Sequence, residues 1–189
     1  MKKLYFIVFA FLFFFVANAQ IINIPDANFK ALLLSASPSN DIASTQTPDV
    51  KGKVNSFDTI DTNSDGEIQV SEASLIKYLE FMNGNIKSLE GINEFVNLQA
   101  LNCGYNDLIS LNISGLNNLQ TLRCYKNQLT ILDVTELTNL KILDCSDNLL
   151  MSLNVSGLSN LTILECQENQ LTNLDVSGLN NLQELYCHY

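Results

Sequence analysis

The sequence has one histidine, His188, no tryptophan and three prolines, and its 10 lysines and arginines are outnumbered by 20 aspartates and glutamates. No CxxC pair or histidine partner accompanies its five cysteines, so no zinc signature is present. No nucleophile stands beside a base in a known catalytic pattern, and no glycine-rich phosphate loop occurs. These absences leave no catalytic residue to name and argue against an enzyme. Beyond residue 19 no apolar run is long enough to cross a bilayer. The net charge of −10 disfavours nucleic acid and anionic membranes as partners, while it suits divalent cations.

What the chain does have is a period. The pattern LxxLxC opens at Leu98, Leu119, Leu140, Leu161 and Leu182, each 21 residues from the last. Cysteines fall at Cys103, Cys124, Cys145, Cys166 and Cys187, and asparagines at Asn106, Asn127, Asn148 and Asn169, with the same spacing. A repeat this short cannot bury its own apolar face, so successive copies must stack into a solenoid. Within LxxLxC the second leucine and the cysteine are two residues apart, so a short strand turns both inward, and stacked copies form a parallel sheet. At each strand end the chain must bend, and an inward asparagine amide can satisfy the backbone groups buried there. Upstream, Ile76, Leu79, Phe81, Ile86, Leu89, Ile92 and Phe95 repeat the apolar spacing without Cys or Asn, which marks residues 76–97 as a degenerate capping coil.

Written from Leu119, one copy is LxxLxCxxNxLxxLxVxxL. It resembles the bacterial leucine-rich repeat with cysteine in a usual leucine position, and over residues 76–189 the chain is similar to secreted leucine-rich-repeat proteins of Bacteroidetes-type bacteria. The resemblance implies an α/β leucine-rich-repeat solenoid: a parallel β-sheet on the concave face, a short irregular convex side and a small helical N-terminal cap. It also implies binding on the concave face. The outward strand positions are Asn102, Arg123, Asp144, Glu165 and Tyr186, flanked by Tyr105, Tyr125, Ser146, Gln167 and His188. Tyrosines among polar residues suit contact with a protein or glycan. The simpler alternative is an ordinary solvated sheet face.

The ends carry different signals. Lys2 and Lys3, the apolar run Leu4 to Val16 and Ala17-Asn18-Ala19 form a secretory signal over residues 1–19, implying a secreted or cell-surface protein. Loss of Lys2 and Lys3 takes the net charge from −10 to −12. Residues 20–75 form an N-terminal cap, with a short helix from Pro25 to about Leu34 and a Ser/Thr/Asn/Pro-rich loop from Ser35 to Ser56. The repeats, 98–189, stop one residue before the asparagine ladder would continue, so a chain truncated in its fifth copy is the expectation. The resembling proteins often carry further repeats and a C-terminal sorting domain.

Five cysteines in an exported chain raise the question of disulfides, yet all sit at one core-facing repeat position. Neighbouring strands at about 4.8 Å meet the distance requirement, but parallel side-chain directions make the bond awkward. Buried free thiols acting as small hydrophobes fill the position without further assumption.

One segment carries chemistry. Residues 61–72, DTNSDGEIQVSE, match DxNxDGxIxxxE and resemble the EF-hand and dockerin calcium loops. By position, Asp61, Asn63 and Asp65 would ligate calcium through side chains, Glu67 through its carbonyl, Gln69 through a water and Glu72 with both carboxylate oxygens. Gly66 permits the turn and Ile68 packs inward. The departures are the lack of a second loop and an entering segment interrupted by Pro48 and Gly52; a helix should leave from about Ser71. A metal-free turn capping that helix is the alternative. The expectation is a structural calcium site that staples the cap to the first coil, with affinity on the order of 0.1 to 1 mM.

Together these features describe an exported binding module recognising a protein or glycan, with a structural surface array lacking a specific ligand as the alternative. A part of a larger secreted enzyme comes last.

Overall fold

The computed structural model describes residues 20–188. The signal segment 1–19 and Tyr189 lie outside the described residues. Seven short strands form one sheet in chain order: β1 (Ala43–Ser44), β2 (Tyr78–Glu80), β3 (Ala100–Asn102), β4 (Thr121–Arg123), β5 (Ile142–Asp144), β6 (Ile163–Glu165) and β7 (Glu184–Tyr186). Strands β2 to β7 are parallel and in register, with Leu79, Leu101, Leu122, Leu143, Leu164 and Leu185 side by side, whereas β1 pairs antiparallel with β2. The parallel-sheet solenoid expected from the 21-residue period is the fold observed.

The period explains the core. Leu98, Leu119, Leu140 and Leu161, the strand leucines Leu101 to Leu164, and Cys103, Cys124 and Cys145 are all sealed from solvent. Phe81 holds the cysteine position in the degenerate coil, and Ile76, Leu79, Ile86, Ile92 and Phe95 complete it. Each coil buries little on its own, so its apolar side chains gain their stabilisation only against the next coil.

After each strand the chain bends through a residue in the left-handed region: Tyr105, Lys126, Asp147 and Glu168, with φ between 51° and 55°. The asparagine that follows holds the bend. Asn127 Nδ2 donates to the carbonyls of Cys103 (3.1 Å), Cys124 (3.0 Å) and Tyr125 (3.3 Å), and its Oδ1 accepts from Leu108 N–H (3.0 Å). Asn148 repeats the set on Cys124, Cys145, Ser146 and Leu129. Asn106 and Asn169 do likewise. Each amide thus bonds its own coil and the preceding one, and the carbonyl of Cys124 is shared by Asn127 and Asn148.

A second ladder stitches the outside. Asn97, Asn118, Asn139, Asn160 and Asn181 each donate Nδ2 to a carbonyl of the preceding coil, those of Ser74, Val96, Asn117, Thr138 and Ser159, at 2.8, 3.0, 2.8, 2.9 and 2.7 Å respectively. The remaining outer side is turns, with one 3-10 turn at Ile92–Glu94.

The cap departs from expectation in three places. Helix α1 spans Ala27–Ser35 and is capped by Asp26, so Pro25 precedes the cap instead of standing in the first turn. Phe29 and Leu33 are its fully buried residues. The helix after the calcium-loop motif, α2, is only Val70–Ala73. The segment expected to cap the first coil as a loop reaches much further, onto β4.

Candidate functional site

The concave sheet face is built from three outward columns. The first is Tyr78, Ala100, Thr121, Ile142, Ile163 and Glu184, which the sequence reading did not name although every strand has two outward positions beside its inward leucine. The second is Glu80, Asn102, Arg123, Asp144, Glu165 and Tyr186, in register as expected. Beyond the strand ends follow Gly104, Tyr125, Ser146, Gln167 and His188, at the 21-residue period.

Solvent access along the second column is uneven. Asn102 and Asp144 are buried at 6% and 9% exposure, whereas Tyr186 is exposed at 44%. Asn102 Nδ2 donates to Glu80 Oε1 at 3.2 Å, and Arg123 Nη2 donates to the carbonyl of Lys51 in the cap at 3.0 Å. Both residues thus have a partner within the chain while keeping the outward positions expected of them. Tyr105 occupies the left-handed bend, one residue past the column of Tyr125.

The two tyrosines still meet. Their rings are 5.3 Å apart and nearly perpendicular, Lys126 Nζ sits 4.9 Å over the Tyr105 ring, and Tyr125 O–H donates to Met82 Sδ at 3.0 Å. Gly104 makes room, since a Cβ there would stand 2.6 Å from the Tyr125 ring. Toward the C-terminal strands the face is acidic. Burial pushes the Asp144 carboxyl up, opposed by the Ser146 hydroxyl and N–H at 2.7 and 3.2 Å. Burial and then the Asp144 charge push Glu165 up, and burial followed by the same charge does so for the Tyr125 hydroxyl.

The second candidate is the 61–72 loop. Asp61 accepts from the N–H groups of Asp65 (3.2 Å) and Gly66 (3.0 Å), Asn63 Oδ1 from Asp65 N–H (2.9 Å), and Asp65 from Glu67 N–H (2.9 Å) and from Gln69 Nε2 (2.9 Å). The Glu67 N–H holds the Asp65 carboxyl below its ordinary range; desolvation opposes it, and the Gln69 and Asn63 amides add to the lowering. Glu72 directs its oxygens to Thr62 N–H and O–H and to Gln69 N–H at 2.8 to 3.0 Å. Glu67 pairs with Lys30 of α1 at 2.6 Å. Among the described residues no three His, Cys, Asp or Glu side chains converge as a metal cage.

The missing second loop has a substitute that sequence alone did not reveal. Ile22 N–H donates to Ile68 carbonyl (2.8 Å) and Val70 N–H to Gln20 carbonyl (2.9 Å), with Ile21 bridged antiparallel to Gln69. The backbone of the loop is thus paired by the segment 20–22, and Ile68 is fully buried beneath it.

The cysteines are free: Cys103, Cys124, Cys145 and Cys166 are buried and Cys187 is exposed. Burial pushes the Cys103 thiol up to about 12 and Cys166 to about 11, and raises Cys124 and Cys145 further from reactivity. Titration of the native chain with an aromatic disulfide should therefore label Cys187 alone, and denaturant should release the other four. Fewer than five thiols in denaturant would mean that disulfides form.

The stacked strands, buried leucines and asparagine bends define a leucine-rich-repeat solenoid. Solved structures place it more closely. The chain is similar to the functional domain of InlJ from Listeria monocytogenes, which includes a cysteine ladder, at 32% identity and a TM-score of 0.71 over 90% of this chain. It is also similar to a leucine-rich-repeat protein of Leptospira interrogans, at 31% identity and 0.57 over 63% of this chain. The internalin InlF from Listeria monocytogenes shares the fold at 21% identity, with 0.64 over 92% of this chain. The chain spans 33%, 33% and 46% of those three structures respectively. No family model matches the sequence, and no curated protein matches it at a significant level.

Proposed function

We propose that this chain is an exported interaction module that recognises a protein or glycan through the concave face. The observation that carries the reading is the outward row itself. Six parallel strands set tyrosine, carboxylate and aliphatic side chains in columns on a rigid sheet, with Tyr125, Glu165, Gln167 and Tyr186 open to a partner around Ile163. The internalin and leucine-rich-repeat neighbours support an interaction role, and export rests on the 1–19 signal. No helix among the described residues is long and apolar enough to cross a membrane. Binding to intact cells or to a glycan array should fall at least about tenfold on Tyr125→Ala, the scale of an aromatic anchor. Unchanged binding would favour a structural array without a specific ligand.

Calcium in the cap is the second part of the reading. The donor set fits a hard cation: Asp61, Asn63, Asp65, Glu67, Gln69 and Glu72 can each present an oxygen, and Asp61 and Asn63 already share the Asp65 N–H. Calcium there would fix the cap without chemistry. At about 10 mM calcium and an affinity of about 0.1 to 1 mM, linkage gives about 1.4 to 2.7 kcal/mol, or roughly 3 to 10 °C in melting temperature. Identical melts with calcium and with chelator would rule the site out, and Asp61→Asn should abolish the difference.

A further inference from the structure

The cap segment between β1 and the calcium-loop motif has a built shape. Its base is closed where Thr45 donates N–H (2.8 Å) and O–H (3.1 Å) to Asp58 Oδ2, and Asp58 N–H donates to Ala43 carbonyl (2.8 Å). Its tip is wound on Asp49, whose Oδ1 accepts from Lys51 N–H (2.8 Å) and Lys53 N–H (2.9 Å), while Gly52 N–H donates to the Asp49 carbonyl (2.9 Å). Between base and tip the segment crosses the concave face. Lys77 Nζ donates to Thr47 Oγ1 at 3.4 Å, the Phe57 ring stands 6.1 Å from Tyr78, and Lys53 pairs with Glu80 at 3.1 Å. Gly52 lies so close on Thr121 that a Cβ would come within 2.7 Å of its Oγ1, and φ there is +72°. Arg123 of β4 closes the far end on the Lys51 carbonyl.

What holds the tip is polar and wet. Lys53 is 55% exposed in its ion pair, and the one aliphatic residue of the turn, Val50, is 83% exposed. The partner of Lys53, Glu80, is 15% exposed, and an ion pair whose cation stays in water contributes little to stability. The solenoid beneath is held by buried leucines and amide ladders, so the two parts differ in what is needed to open them.

We propose that residues 45–58 form an autoinhibitory strap: it occupies the concave face over β2 to β4 and lifts without unfolding the solenoid, so a partner meets β5 to β7 first and reaches Glu80, Thr121 and Arg123 only by displacing it. The functional consequence rests on the concave-face reading above. The strap itself does not, because it is a property of the free chain. It offers that face what a partner would offer: a backbone carbonyl for Arg123, a bare backbone for Thr121 and a cation for Glu80.

The test needs no ligand. In a Cys187→Ser background, Thr121→Cys reports the covered part of the first outward column and Ile163→Cys the uncovered part, each read as the rate of maleimide labelling. Adding Gly52→Val and Lys53→Ala, which push the tip off Thr121 and remove its ion pair, should raise the Thr121→Cys rate about tenfold or more and leave Ile163→Cys unchanged. With the strap intact, labelling at Thr121→Cys should proceed at a rate independent of urea below the unfolding transition. Equal Thr121→Cys rates with and without the strap substitutions would overturn the proposal. So would labelling that follows global unfolding, which would make the segment a fixed part of the cap. Because no partner enters the experiment, its failure is distinct from a failure of concave-face binding.

Discussion

Asn148→Ala should lower stability by about 3 to 4 kcal/mol, which is large for the loss of one carboxamide. The reason is the number and position of its bonds. Leu129 N–H loses its acceptor in a buried setting, and the carbonyls of Cys124, Cys145 and Ser146 lose a donor each. Cys124 and Cys145 keep one neighbouring asparagine, so they are weakened and not orphaned. Leu129 has no such reserve among its bonds to side chains, and a buried unpaired N–H costs about 1 to 3 kcal/mol by itself. Asn148→Asp retains an acceptor but sets a charge against three carbonyls, and should be at least as damaging. Because stability in a solenoid is carried by nearest-neighbour interfaces, a change in this central coil should exceed the same change at Asn169, which is only partly buried. Urea unfolding monitored by circular dichroism gives the comparison; a loss below about 1 kcal/mol at Asn148 would show that the bend holds without the ladder.

Asp26→Ala should cost about 2 to 4 kcal/mol, because one carboxylate joins the cap helix to the first coil. Its Oδ1 accepts from Asn28 and Phe29 N–H at 3.0 Å and so starts α1, while its Oδ2 accepts from Lys87 (2.8 Å) and Ser88 (3.1 Å) of the first coil. Desolvation pushes this carboxyl up, but the four N–H groups outweigh it and hold the group below its ordinary value of 3.8. The sign of the pH dependence follows. A depressed folded-state value means stability that is present above the unfolded value and lost as pH falls through the folded one. Between about pH 5 and about pH 2.5 the urea midpoint of the native chain should fall more steeply than that of Asp26→Ala. Parallel curves would mean that the carboxylate contributes no charge-dependent stability.

Much of this fold was legible because the period repeats one physical problem. Leucine and cysteine at fixed offsets must turn inward together, and Asn106 to Asn169 recur where a bend needs them. The second asparagine ladder, Asn97 to Asn181, has the same period and was missed because its amides bond across coils on the exposed outer side, where no burial pattern marks them. The first outward column was missed for a related reason: Ala100, Thr121, Ile142 and Ile163 share no chemistry that a motif would show. Asp26 was hidden beside Pro25, and its bonds to Lys87 and Ser88 join residues about sixty apart, a contact no local pattern carries. Composition marks Ser35 to Ser56 as a loop, and the structure sets strand β1 inside that span with most of the strap after it. Its path onto Thr121 and Arg123 depends on tertiary placement alone.

The most direct test of the account compares a charge change on the sheet face with one outside the strands. Glu165→Lys alters the open part of the concave sheet, and Ile131→Lys alters a residue 76% exposed outside it. Both should leave the melting temperature within a few degrees, as surface substitutions do. In binding to intact cells or a glycan array, Glu165→Lys should abolish or redirect recognition and Ile131→Lys should leave it intact. Loss of binding with Ile131→Lys but not with Glu165→Lys would place recognition on another surface and contradict the account.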